Sequence, residues 1–569
     1  MIKSLITIII ISIWINVSAQ DYNKSKLDSM YTLYTSLRGV STEFNLQVQI
    51  ESEPEIRKCG TFLISQIKNN LGNFTTEQQL VLYKILQRPD LPLSIVSPSG
   101  YFRIHYTNSG TDAIKYDINL FALALDSSYN FEVNYLGYLP PPSDGSAGED
   151  DKYDVYVRNL GNLYGQTSSE NKVTTSSFTS YMEVDNDFAG FYTTGINAAR
   201  VTAAHEFHHA IQMGNYAPQT GSSPIREDDI FFYEITSTAM EEFVFTSVND
   251  YYGYMASYFR NPATPLPLNN GYNLAIWNIY LKDLYGFDVL KRQWELMPTI
   301  SALDAINRSI IEHGSNLGAA LNLFGIWTYY TGSRSINGQY FEEAANYPLI
   351  TATAVVNFQD SPYQMSLGPT ANYFLKVNLL TGDGTFMSIV TNSDIQQAYQ
   401  TITNPSLAFS FTYSIYDNNH SGNKIISNKY SATFSKEGQA NWYNSGILND
   451  IVVYTDSATT VSGIDGETFV YPSPFRYSVS SYQGITIAFE SGDLISNEID
   501  FYVYSSALEL VYSEKASVIN SYVKNGKRYY EIIWNPQDNN GKVLASGVYI
   551  FALKIDSEIK KGKMVIFND

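Results

Sequence analysis

Residues 205–209 read His-Glu-Phe-His-His. Side chains four residues apart leave a helix on one face, so His205 and His209 can offer imidazole nitrogens to a single Zn²⁺ only if this stretch is helical. Glu206 follows the first histidine too closely to ligate comfortably, yet it can lean over a water on the metal and accept its proton. Val201, Ala204, Ala210 and Ile211 supply the apolar positions by which such a helix packs inside a domain. His208 forms a competing i, i+3 pair with His205. His209 is preferred because only that choice sets Glu206 as the base, and His208 is then structural.

A catalytic zinc takes three protein ligands and keeps a fourth position for water or substrate. Asn215 stands where a third histidine would fall at one known spacing, and the next histidine is His313. A carboxylate is therefore expected. Glu234 lies 25 residues past His209, on a second helix predicted to start near Asp228-Asp229 after the Gly/Ser/Pro-rich loop 215–226. Glu241, two helical turns further, reads either as the partner that orients a ligand histidine or as a solvated charge.

The start of the chain has a positive Lys3, an apolar run from Leu5 to Ile15, and the small residues Val17-Ser18-Ala19. This pattern predicts a cleaved signal peptide over 1–19, and the run is shorter than the roughly 20 residues a membrane span needs. No later stretch is apolar enough to span, so a secreted or cell-surface protein is expected. About 550 of the 569 residues then remain, too many for one core, and three or four domains are expected. A net charge of −20 with no Lys/Arg cluster excludes nucleic acid as a partner. Aromatic residues make up 14% and charged residues only 16%, which with 46 Tyr suggests extended β structure. The single cysteine, Cys59, excludes an intramolecular disulfide framework. It stands in a segment read as helical with no histidine nearby, and is taken as a buried structural thiol rather than a nucleophile.

Along the chain, Leu63, Ile67 and Leu71, then Leu82, Ile85 and Leu86, give helical spacing over 20–95, which ends at the turn-rich Arg88-Pro89-Asp90-Leu91-Pro92. The residues leave open whether this is a removable pro-segment or a support. Strands are predicted at Phe102–Tyr106, Tyr153–Val157 and Ser180–Val184, with a helix within Ala113–Tyr135. Helical spacing continues from Leu274 to Ala344, and short strands follow from about Ala352. A boundary near Asp465-Gly466 precedes a last module. The acidic loops Asp185–Asp187 and Asp417–Asn419 are candidate places for a structural Ca²⁺, a question the residues do not decide.

The motif helix followed by Glu234 and Glu241 resembles the gluzincin arrangement of thermolysin-like and aminopeptidase-like enzymes, in which the downstream glutamate is the third zinc ligand. Phe102–Tyr106, Tyr153–Tyr156, Asp185–Phe188 and His205–Gln212 resemble a family of secreted bacterial metalloproteases over roughly 90–345. The chain departs from thermolysin in its longer His-to-Glu spacing and in having Thr238 rather than Asp four residues after Glu234. The gluzincin resemblance further implies that the strand Tyr181–Val184 is an edge that pairs with an extended substrate. At the other end, Tyr471-Pro472-Ser473-Pro474-Phe475, Trp534-Asn535-Pro536, Ser546-Gly547-Val548-Tyr549 and Lys560–Val565 resemble the immunoglobulin-like domain that ends type IX secretion cargo, and a flagellar hook-capping domain.

The expected fold class is multidomain α+β: a helical segment over 20–95, a zincin-like metallopeptidase domain over 96–348, a β-sandwich over 349–465 and an immunoglobulin-like secretion domain over 466–569. The expected function is a secreted zinc endopeptidase with Glu206 as base, with His205, His209 and Glu234 on the metal, a protein or peptide as substrate and the secretion machinery as partner. Tyr233, Tyr251, Tyr252 and His313 are candidate donors to a developing oxyanion. Rival readings are a hydrolase of non-peptide bonds and a surface adhesin carrying an inactive remnant of the fold.

Overall fold

The computed structural model describes residues 24–40, 57–357 and, in shorter stretches, much of 363–568. The signal segment 1–19 and the boundary at 465–466 lie outside the described residues. Two compact units emerge: one comprises residues up to Tyr254 with 270–275 and 294–302, the other 255–269, 276–293 and 303–569. The molecule is mixed α/β with several sheets.

The first unit is built on a six-stranded sheet. Its strands are β1 (Arg57–Cys59), β2 (Leu93–Val96), β3 (Phe102–Tyr106), β4 (Tyr153–Val157), β5 (Leu163–Thr174) and β6 (Ser177–Val184), in the order β1-β5-β6-β4-β3-β2. β3, β4 and β6 run parallel, while β5 returns antiparallel to β6 as a hairpin. Every residue of β6 is buried, as befits a strand covered on both faces. It lies between β5 and β4, so the expected edge strand at Tyr181–Val184 is interior. The outer side of β5 is taken by β1, which pairs with it in parallel through Arg57↔Leu163 and Cys59↔Gly165. Cys59 therefore ends a strand and is not in a helix as its surroundings suggested.

Helices follow from local signals. α1, over 24–37, precedes α2 (Thr61–Asn69) and α3 (Thr76–Ile85), and α3 opens with a capping box in which Thr75 and Gln78 satisfy each other's backbone amides. Tyr34, Leu63, Ile67, Leu82 and Ile85 join Leu160 and Leu163 in one cluster, so this N-terminal segment shares a core with the sheet. α4 (Ile118–Tyr129) is capped by Asp117, whose carboxylate accepts from the amides of Asn119 and Leu120, and it continues as a π-helix to Tyr135. α5 (Gly195–Asn215) is 21 residues long and buried almost all round. It packs on β5 and β6, with α4 on one side and α6 (Ile230–Val244) on another.

In the second unit, residues 354–449 form a four-stranded and a three-stranded sheet whose buried residues, among them Val356, Leu367, Leu375 and Val390, share one core. Residues 468–567 form a four-stranded and a five-stranded sheet. Ile487 and Trp534 from one meet Phe501, Phe551 and Met564 from the other, which makes this module a two-sheet sandwich with its own core.

Candidate metal centre

α5 presents His205 and His209 one turn apart, and α6 returns beside it to bring Glu234 between them. His205 Nε2 lies 3.1 Å from His209 Nε2 and 3.1 Å from Glu234 Oε2, and His209 Nε2 lies 3.5 Å from that oxygen. All three residues are at most 1% exposed. The outer ring nitrogens are engaged elsewhere. His205 Nδ1 donates to Glu241 Oε1 at 2.7 Å, and His209 Nδ1 donates to Gln212 Oε1 at 2.7 Å. Gln212 Nε2 meanwhile donates to the Tyr233 carbonyl and the Ser237 hydroxyl, which fixes its oxygen as the acceptor. Both Nε2 atoms consequently face the Glu234 carboxylate, and three such atoms this close require positive charge between them, a proton or a bound cation.

The donor set suits zinc. Zn–N and Zn–O bonds of about 2.0–2.2 Å at tetrahedral angles set ligand atoms roughly 3.3–3.5 Å apart, close to the three separations observed. A fourth atom completes the group: Cys59 Sγ lies with the two imidazoles and Glu234 so that all four ligand atoms fall within 4.8 Å of one another. The charge balance points the same way. Glu206, Glu234, Glu241 and Asp250 are buried carboxylates, and Lys58, which pairs with Glu241 at 2.7 Å and with Asp250, is the cation set among them. Burial alone pulls an imidazole pKa down, yet hydrogen bonds to Glu234 and Glu241 push that of His205 up to about 10. Burial would raise the carboxyl of Glu234, but the two histidines hold it down at about 2. The pocket thus stabilises positive charge at the point where the lone pairs meet.

Glu206 sits beside its histidine with one oxygen anchored and one open. Oε2 accepts from the hydroxyls of Thr167 at 2.8 Å and Thr61 at 3.2 Å, while buried Oε1 has no hydrogen-bond partner. β5 passes close beneath it because residue 165 is glycine: a Cβ there would stand 2.8 Å from Glu206 Cγ. Gly271, with φ +88°, allows a similar approach to α6, where a Cβ would meet Glu234 Cβ at 2.4 Å. The next residue, Tyr272, donates its hydroxyl to Glu234 Oε1 at 2.5 Å.

The other expected residues are placed as follows. His208 points away from the pair, to Glu132 Oε2 at 2.8 Å, with Tyr138 and Trp294 around it. Glu241, not Thr238, accepts the Nδ1 hydrogen bond of His205. Tyr233 is buried against Phe62 and Trp294, Tyr251 packs on Tyr252, and His313 belongs to the second unit, where its Nδ1 donates to the Ser309 carbonyl. Asp185 spends both oxygens on the amides of Leu160, Asp187 and Phe188, so it holds its own loop. The loop at 418–419 lies outside the described residues. Sequence reasoning missed Tyr272, Lys58, Thr61 and the position of Cys59. The sole cysteine of the chain was the one available signal, and the histidines next to it come from a distant helix.

Among the described residues no helix is long and apolar enough to cross a membrane. No family model matches the chain, and no curated protein does. Among solved structures, a chain from work on PorZ, an essential bacterial surface component of the type-IX secretion system of human oral-microbiomic Porphyromonas gingivalis, is similar at 13% identity over 36% of this chain and 38% of that one, with a TM-score of 0.13. A likeness at that level carries no argument about the site.

Proposed function

We propose that this protein is a secreted zinc-dependent peptidase of zincin type, with His205, His209 and Glu234 holding the metal and Glu206 as general base. The observation that carries the reading is the convergence of two inward-facing Nε2 atoms and a carboxylate oxygen, each residue held by its own outer hydrogen-bond partner. When bound, zinc lowers the pKa of a coordinated water toward about 7 and polarises a carbonyl. The protein does the rest. Glu241, Gln212 and Ser237 fix both imidazole tautomers, and Tyr272 holds the far oxygen of Glu234. Glu206 Oε1, free while Oε2 is anchored by two threonines, takes the water proton and passes it to the leaving amine. Tyr272 spends its one hydroxyl proton on Glu234 Oε1 and so acts as a positioning residue for that carboxylate. The terminal sandwich serves delivery through type IX secretion, on the strength of its sequence resemblance.

The test is metal analysis of the purified full-length chain. About one zinc per chain is expected, lost on Ala substitution at His205, His209 or Glu234 and kept in His208→Ala. A metal-free chain, or loss of zinc in His208→Ala alone, would sink the assignment.

A further inference from the structure

The N-terminal segment covers the site. Lys58 reaches Glu241, the residue that orients His205, and Thr61 donates to Glu206. The Phe62 ring meets His209 edge-on with centroids 5.2 Å apart. Lys58, Cys59, Thr61 and Phe62 are each 8% exposed or less, and His205, Glu206 and His209 are at 1% or less. No peptide can bring a carbonyl to such a site while this segment stays. β1 also lies along the outer side of β5, the position an extended peptide would take by adding to the sheet.

Cys59 completes the obstruction chemically. Its sulfur stands within 4.8 Å of the two imidazole nitrogens and the Glu234 oxygen, so it can supply the fourth ligand that a catalytic zinc would leave to water. Sγ accepts from the Thr61 amide at 3.3 Å and, as a thiol, donates to the Thr61 hydroxyl at 3.0 Å, so binding a metal would release its proton. Resting on the zinc reading above, we infer that Cys59 Sγ is the fourth zinc ligand of the full-length chain, and that residues 57–62 keep the peptidase latent until the segment withdraws. Opening is a ligand exchange: the sulfur leaves, takes a proton from solvent to become a thiol, and a water enters in its place. The linker after Arg88 offers a point of release, since Gln87, Asp90 and Pro92 are exposed and the whole obstructing segment lies upstream of them.

Replacing zinc by Co²⁺ in the full-length protein tests this directly, because thiolate–cobalt bonding gives a near-ultraviolet charge-transfer band that imidazole and carboxylate do not. The wild type should show the band. Cys59→Ser and Cys59→Ala should keep about one cobalt per chain, lose the band and, because the segment is no longer tied to the metal and withdraws more often, cleave casein at least about tenfold faster than wild type. A cobalt-loaded wild type without the band overturns the role of Cys59 and leaves the zinc site standing, and this spectrum is informative even where a variant does not fold. Variants that bind cobalt but cleave casein no faster than wild type overturn latency. Absence of cobalt from wild type and variants alike removes the metal reading and this inference with it.

Discussion

Glu206 uses one carboxylate oxygen for anchorage and keeps the other open, a division set by Thr61 and Thr167. Glu206→Gln preserves that anchorage and removes the base. In the Cys59→Ser background it should retain zinc while casein cleavage falls by about 10²–10⁴-fold; full activity with zinc bound would place the chemistry elsewhere. Lys58 carries a different burden. Its ammonium is buried between Glu241 and Asp250 and, although burial opposes its charge, the two carboxylates hold its pKa well above the ordinary lysine value. Lys58→Met removes the ammonium that Glu241 and Asp250 share and should cost about 3–5 kcal/mol in chemical denaturation of the full chain. The Asp250 carboxyl is held below its ordinary value by Lys58, despite burial. Its stabilising share is therefore present above about pH 4 and is lost as pH falls through the lowered value. The midpoint difference between wild type and Lys58→Met should shrink in acid.

β5 and α5 approach each other as closely as glycine permits at residue 165. Gly165→Ala pushes a methyl into Glu206 and Thr202, so it should destabilise by about 1–3 kcal/mol and lower the rate of the Cys59→Ser enzyme, while His205 and His209 keep their metal. Undiminished rate and stability would mean that β5 yields easily there. Elements with a strong period were legible in the sequence: α5 and α6 with the His205, His209 and Glu234 cluster they bring together, β3, β4 and the end of β6. β5 was not, because Gln166-Thr167-Ser168-Ser169-Glu170-Asn171 reads as a loop when its burial between β1 and β6 is unknown. β1 has three residues and no pattern of its own. Cys59 and Lys58 could not be assigned for the same reason: their neighbours are chosen by strand order, which spacing along the chain does not encode.

The C-terminal sandwich has a core of its own, from Phe475 through Ile566. A chain ending near residue 465 should therefore bind about one zinc as the full chain does, yet fail to reach the cell surface or medium. Loss of zinc on truncation would make the module part of the enzyme, and normal export would remove its sorting role. One further consequence belongs to β1. It holds β5 through only two paired positions, so its departure bares a backbone rim from Leu163 onward that is already shaped for pairing. Preparations freed of the N-terminal segment should grow turbid as they are concentrated, while the intact chain stays clear, and a short extended peptide added in excess should keep them in solution.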